Sequence, residues 1–168
     1  PDKRVAIFNI DIKEDKNGIV IAGETNLEEA HGSLMRRLKD QGFQVTDDVV
    51  ILQYTYAIIN ISVANLRSKP EHSAELATQA LLGMVVKVYK QSDDWFLVQT
   101  PDNYLAWTDS GALFMIDKEQ LNLYDSAPKV VFIDPFGFIQ NETGNVSDVS
   151  LGNVLEVKTI ERDRYQIV

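Results

Sequence analysis

The sequence predicts a mainly β protein with a small α+β module at its N-terminus, then a small β-barrel, then a second and incomplete copy of that barrel. Three observations carry this. A single strong helix-start signal stands near Thr25, with strand-like runs on both sides. Short alternating apolar runs separated by turn residues fill the stretch from Tyr56 to Asp117. The apolar pattern around Gly83 recurs around Gly152 and continues without a gap to Val168.

Composition bounds the function. At 168 residues and 45% hydrophobic content the chain is long enough for one ordinary domain or two to three very small ones. Its longest apolar runs, such as Val49–Leu52 and Leu81–Val86, are strand-sized, far below the roughly 18–20 residues of a membrane span. Sixteen basic against twenty-five acidic residues leave a net charge of −9, a field that repels a phosphate backbone and argues against nucleic acid. The one compact basic cluster, Arg36, Arg37 and Lys39, falls at the end of the expected helix, where cations complement the dipole. The chain contains no cysteine, so disulfides, thiol catalysis and thiolate metal sites are excluded together. It begins at Pro1 without an initiator Met or a leader, the expectation for a mature or trimmed product whose targeting segment has been removed.

Residues 1–53 read as strand, strand, helix, strand. Val5–Ile12 is a strand whose apolar phase shifts, which predicts a bulge or burial on both faces. Lys16-Asn17-Gly18 supplies turn residues leading into Ile19–Ala22. Thr25 and Glu28 have capping-box spacing, Leu27, Ala30, Leu34 and Leu38 form the apolar stripe, and Gly42 is the expected stop. Gly32 inside this helix suggests close packing on the sheet. Val49–Leu52 is the third strand.

Residues 56–117 read as the barrel. Ile58–Val63 is extended, Asn65 to Pro70 is irregular, and Glu71–Thr78 is a long loop. Met84–Tyr89, Trp95–Gln99 and Tyr104–Thr108 are strands. Barrels of this size leave loops at one rim, where ligands are met.

Residues 121–168 repeat the barrel at an offset of 69: Gly83 falls on Gly152, Val86 on Leu155, Val88 on Val157, Phe96 on Tyr165 and Val98 on Ile167. Counterparts of Thr100–Leu113 are missing. A half barrel exposes an apolar edge. Either the chain is a fragment of a longer protein or a partner supplies the missing strands, a dimer through the incomplete barrel being one form of this.

The runs Asn60 to Pro70, Ser73 to Gly83, Asp94 to Asp102 and Tyr104 to Trp107 resemble the bacterial SH3-like domain. The stretch AELATQALLG narrows the likeness to the first such domain of NlpC-type cell-wall endopeptidases of Bacteroides-like bacteria, the γ-D-glutamyl-L-diamino acid endopeptidases or dipeptidyl-peptidase VI-like enzymes. Those proteins carry a helper region, two SH3-like barrels and a papain-like Cys–His domain, and they cut between γ-D-glutamate and the diamino acid of peptidoglycan stem peptides. Residues 1–53 are only distantly similar to BON-type modules.

The resemblance implies a ligand-binding rim. An acidic loop residue and a strand aromatic hold the free amino end of the stem peptide. By motif position these are Glu75 and Tyr104, with Trp107 as second choice; a carboxylate partners an ammonium and an aromatic wall partly desolvates it. Gly144 stands opposite Glu75 in the second copy, so the same role is not expected there. The family's nucleophilic cysteine has no counterpart.

The chain therefore reads as the non-catalytic, substrate-positioning part of a peptidase. It would act in the cell envelope or periplasm, beside a C-terminal or separate catalytic domain. The alternative is a free-standing cell-envelope SH3-like binding protein that docks on peptidoglycan peptides or a partner protein. No cofactor or metal is expected: HExxH, EF-hand, phosphate-loop and nucleophile-elbow patterns do not occur, and Asp47-Asp48 and Asp93-Asp94 read as turn acids. His31 reads as a helix surface residue, His72 as a loop residue, and Trp95 as structural.

Overall fold

The computed structural model describes residues 2–16, 18–162 and 164–168. The chain divides into two compact units, Pro1–Gln53 and Tyr54–Val168. No helix among the described residues is long and apolar enough to cross a membrane.

The first unit is a three-stranded sheet with one helix. β1 (Phe8–Asp15) and β2 (Gly18–Thr25) form an antiparallel hairpin, and β3 (Val45–Ile51) lies parallel to β2 after the crossover through α1 (Glu28–Asp40). Asn17, placed by the sequence in the hairpin turn, lies outside the described residues. The phase shift in β1 has a different origin from the expected bulge. Pairing runs unbroken from Phe8↔Thr25 to Asp15↔Gly18, and the strand starts at Phe8, leaving Ala6 and Ile7 buried in the segment before it.

The expected capping box does not form. Thr25 is the last residue of β2, where its buried hydroxyl donates to the Ile7 carbonyl at 2.8 Å and accepts from the Leu27 amide at 3.0 Å. With that oxygen committed to the sheet corner, the helix starts at Glu28 with Leu27 as its N-cap, without a side-chain cap. Gly32 is not tightly packed either, since a Cβ there would meet nothing within 4 Å. Gly42 does terminate the helix, at φ +82°, and Asp47 and Asp48 lie in β3 rather than in a turn.

The second unit opens with the barrel. Its strands are β4 (Thr55–Ile59), β5 (Val63–Arg67), β6 (Leu76–Leu81), β7 (Val85–Ser92), β8 (Trp95–Gln99), β9 (Leu105–Asp109) and β10 (Leu113–Ile116). They form one sheet in the order β10-β4-β7-β8-β9-β5-β6. Small residues at Ala57, Ala64, Ala80 and Ala106 let the sheet curl around Ile59, Leu66, Val86 and Val98, all essentially inaccessible. The stretch predicted as one strand over Ile58–Val63 is two, broken at Asn60–Ser62. The segment predicted as irregular contains β5, and the long loop is Ser68–Glu75 rather than Glu71–Thr78 because β6 starts at Leu76.

Residues 118–126, in part read as the start of the second barrel, are helical: α2 (Lys118–Ser126) carries a complete capping box between Asp117 and Gln120. Five strands follow, β11 (Lys129–Val131), β12 (Phe136–Asn141), β13 (Gly144–Ser150), β14 (Val154–Glu161) and β15 (Arg164–Ile167), in sheets β11-β14-β15 and β12-β13.

The offset of 69 is visible in the backbone. Gly83 and Gly152 have φ +84° and +90°, and Asp93 and Arg162 have φ 50° and 52°. A register irregularity between Val88 and Lys90 returns between Val157 and Thr159. The Gly83 amide donates to Ile59 O at 2.9 Å and the Gly152 amide to Phe132 O at 2.8 Å, the acceptors standing 73 rather than 69 residues apart. The pairings β4–β7, β7–β8 and β5–β6 recur as β11–β14, β14–β15 and β12–β13.

Candidate functional site

The long loop Ser68–Glu75 leaves β5 and returns as β6, and the chain ties it down. The Arg67 guanidinium donates to the Ala74 carbonyl at 2.8 Å. The Ser68 amide donates to Glu75 O at 3.0 Å, and the Ala74 amide to Glu71 O at 3.2 Å. At the loop's far side the His72 ring meets Trp95 edge-on, with centroids 4.9 Å apart, and Trp95 is only 9% exposed. Trp95 is therefore structural. An ordered loop loses little conformational entropy when a ligand reaches it.

Arg67 organises the rim. It pairs with Leu76 on one side and with Trp107 on the other, and Trp107 in turn pairs with Leu97. Glu75, the residue before Leu76, is exposed, and Trp107 is half-buried. Leu76, the neighbour of Glu75, and Trp107 thus pair with one residue, Arg67.

Tyr104 is placed differently. It precedes β9, its carbonyl accepts from the Thr100 amide at 3.0 Å, and its side chain packs against the barrel core. Among the described residues no hydrogen bond or ring contact joins Glu75 to Tyr104. No hydrogen bond or ring contact among the described residues joins Glu75 to Trp107 either, so strand pairing brings the loop's end and Trp107 to the same strand, at Arg67, without a direct contact.

Chemically the rim offers an exposed carboxylate, an aromatic wall and backbone groups already held in hydrogen bonds. It suits a cationic or amine-bearing ligand end. Among the described residues no group of three or more His, Asp or Glu is placed to hold a metal ion. His31 lies in the other unit, with Nε2 3.1 Å from Asp47 Oδ1.

A second feature was missed in the sequence. A cleft of about 320 Å³ is lined by Tyr56, Lys87 and Gln99 of the barrel and by Leu121 and Asp125 of α2. Beside it, Tyr54 packs edge-on against Tyr56 and Tyr89 with centroids at 5.4 and 5.6 Å, and Lys87 Nζ sits 4.7 Å above the Tyr54 ring. Hydrogen bonding to Tyr54 and burial raise the Tyr56 pKa above its ordinary value. The alternation Tyr54-x-Tyr56 opposite Lys87-x-Tyr89 was the available signal.

Residues 66–113 match the family described as the bacterial dipeptidyl-peptidase Sh3 domain. The barrel is accordingly an SH3-like domain. Among solved structures, the chain is similar to an NlpC/P60 family protein from Bacillus cereus, with 21% identity and a TM-score of 0.54 over 68% of this chain. It spans 51% of that protein's length, and at this identity the likeness speaks to the fold. No curated protein matches the chain.

Proposed function

We propose that this chain is the non-catalytic, substrate-positioning region of a peptidoglycan stem-peptide endopeptidase of the Bacteroides-type NlpC kind, working in the cell envelope or periplasm. The observation that carries the reading is the pinned loop Ser68–Glu75, which ends on the exposed Glu75 next to the strand pair Arg67–Leu76, with Arg67 paired on its other side with Trp107. Support comes from the match of residues 66–113 to a peptidase-associated domain. The NlpC/P60 description of the Bacillus cereus protein points the same way.

In this reading Glu75 receives the α-ammonium of a stem peptide, and Trp107 and Tyr104 wall it from water. A lowered dielectric strengthens the charge-assisted contact, and the wall discriminates against peptides whose amine is blocked. The chain has no cysteine, so peptide cleavage belongs to a C-terminal or separate Cys–His domain, to which this region delivers the peptide in a fixed orientation. The residues 121–168 are read as a second, incomplete SH3-like barrel without this ligand role, since Gly144 replaces Glu75.

The test is calorimetric titration with a synthetic stem peptide containing γ-D-glutamyl-diamino acid and a free amino end. Glu75→Gln removes a charged partner worth roughly 1.5–3 kcal/mol, which corresponds to about ten- to a hundredfold weaker binding. N-acetylation of the peptide is expected to produce a similar loss in the wild type and little further loss in Glu75→Gln. Equal affinity for free and acetylated peptides would overturn the reading. Trp107→Ala and Tyr104→Phe then apportion the aromatic contribution.

A further inference from the structure

Two side chains of opposite charge, Lys87 of β7 and Asp125 of α2, line the cleft where the helix meets the barrel. Among the described residues neither of them forms an ion pair. Asp125 is exposed and stands in the last turn of α2, which holds no basic residue. A carboxylate there meets the negative end of the helix dipole, a cost that a nearby cation offsets. Lys129, at the same helix end, donates to the Tyr124 and Ala127 carbonyls rather than to Asp125. Lys87 is half-buried, with its ammonium 4.7 Å above the Tyr54 ring, a contact that fixes its direction without neutralising its charge.

The wall of the cleft is held in place beforehand. Tyr54 packs edge-on against both Tyr56 and Tyr89. The Tyr89 hydroxyl donates to Gln99 Oε1 at 3.1 Å, and Gln99 Nε2 donates to the Asn103 carbonyl at 3.0 Å. Tyr56, Gln99 and Asn103 all line the cleft, so a ligand entering it orders few groups that are not already ordered.

The charges select the ligand. A purely anionic molecule meets the Asp125 carboxylate and a chain of net charge −9, and a purely cationic one meets Lys87. A zwitterion carries no net charge and completes both pairs through charge-assisted hydrogen bonds. The cleft volume of about 320 Å³ lies at the small end of the roughly 300–1,000 Å³ of ligand pockets, which suits a compact molecule.

We propose that this cleft binds a small zwitterion of the amino acid or dipeptide class, its carboxylate on Lys87, its ammonium on Asp125 and its body against Tyr56. Glu75, Tyr104 and Trp107 do not line the cleft, and the inference does not rest on the ligand assigned to the loop rim.

The experiment titrates the isotope-labelled chain with L-alanyl-L-alanine and follows the backbone amide resonances. Saturable shifts are expected at the amides of Lys87, Gln99, Asn103 and Asp125. Lys87→Gln and Asp125→Asn are each expected to weaken binding about tenfold. Lys87→Arg restores most of the affinity, because it keeps the charge and the contact with Tyr54. The N-acetylated dipeptide, which has no ammonium, binds the wild type about tenfold more weakly and loses nothing further in Asp125→Asn. The dipeptide amide, which has no carboxylate, behaves likewise towards Lys87→Gln.

Glu75→Gln, titrated in parallel, is expected to leave the shifts at the cleft unchanged, which separates a failure of the loop rim from a failure here. Three results would each overturn the inference: no saturable shift at the cleft amides, equal affinity for the free and blocked dipeptides, or cleft shifts abolished by Glu75→Gln.

Discussion

Asn153, wholly inaccessible in the second repeat, donates through Nδ2 to the Ser62 carbonyl of the barrel at 2.8 Å. Its Oδ1 accepts from the Ser150 amide at 2.9 Å, so both ends of the buried carboxamide are satisfied. Beside it the Val154 amide donates to Leu82 O at 2.9 Å, and Ser62 Oγ bonds Asp148 at 2.6 Å. These contacts join the two repeats through polar groups that are specific in direction, where an apolar seam would slide.

Replacing Asn153 by Ala takes the Oδ1 acceptor from the Ser150 amide and leaves the Ser62 carbonyl only the longer bond from the Leu82 amide at 3.3 Å, in a partly buried place. The expected cost is roughly 1–3 kcal/mol, since stranded buried groups lose their hydration without compensation. Urea unfolding measures it. Asn153→Asp, which keeps the acceptor but not the donor, should fall at least as far.

Gly83 sits at φ +84° in the same seam, and a Cβ there would overlap the Val154 carbonyl. Gly83→Ala combines left-handed strain with a backbone clash, and a loss at or above roughly 1–3 kcal/mol is expected. Gly144 also has positive φ but open space around its Cβ site, so Gly144→Ala isolates the strain alone. A thermal melt in which Gly83→Ala is no worse than Gly144→Ala would show that the close approach is relieved at no cost.

Tyr124 of α2 donates its hydroxyl to Gly83 O at 2.7 Å. Burial, then the negative charges of Glu156 and Asp125, push its pKa above the ordinary value of 10.0. Because the folded pKa is raised, the associated stability is fully present below the unfolded pKa and is lost as pH rises through the folded one. Melts taken between neutral and strongly alkaline pH should show a decline that Tyr124→Phe reduces. The same substitution lowers stability at neutral pH by about 1 kcal/mol through the lost hydrogen bond.

Trp95 and His72 separate scaffold from loop. Trp95→Ala removes a nearly buried indole and is expected to cost roughly 3–5 kcal/mol. His72→Ala is expected to leave the barrel melting temperature almost unchanged while raising proteolytic cleavage within Ser68–Glu75, because it removes the ring contact on the loop's far side. Limited proteolysis followed by mass spectrometry distinguishes these outcomes.

Alternation was enough to find the strands that carry strong apolar runs. Trp95–Gln99 was legible to the residue, since Val98 must face the core and charged turn residues bound the run. Weakly apolar strands were not: β6, Leu-Ala-Thr-Gln-Ala-Leu, reads as loop until pairing with β5 buries Ala80. The helix α2 was readable in principle, because Asp117 and Gln120 have the capping-box spacing. The Thr25 signal misled for the opposite reason, its hydroxyl being taken by a sheet corner.

The repeat itself was fixed in the order of residues, because glycines at the same interval impose the same left-handed turns and the bulges follow. Likewise Glu75, Tyr104 and Trp107 were readable as chemistry. Their neighbourhood was decided by strand pairing: Arg67 brings together Leu76 and Trp107, forty residues of chain folding back to meet it. The joining of the repeats at Asn153 and Ser62, too, belonged to the tertiary structure. Apolar periodicity reports which side chains leave water. The partner of a polar atom depends on distance and direction, which exist only once the chain has closed on itself.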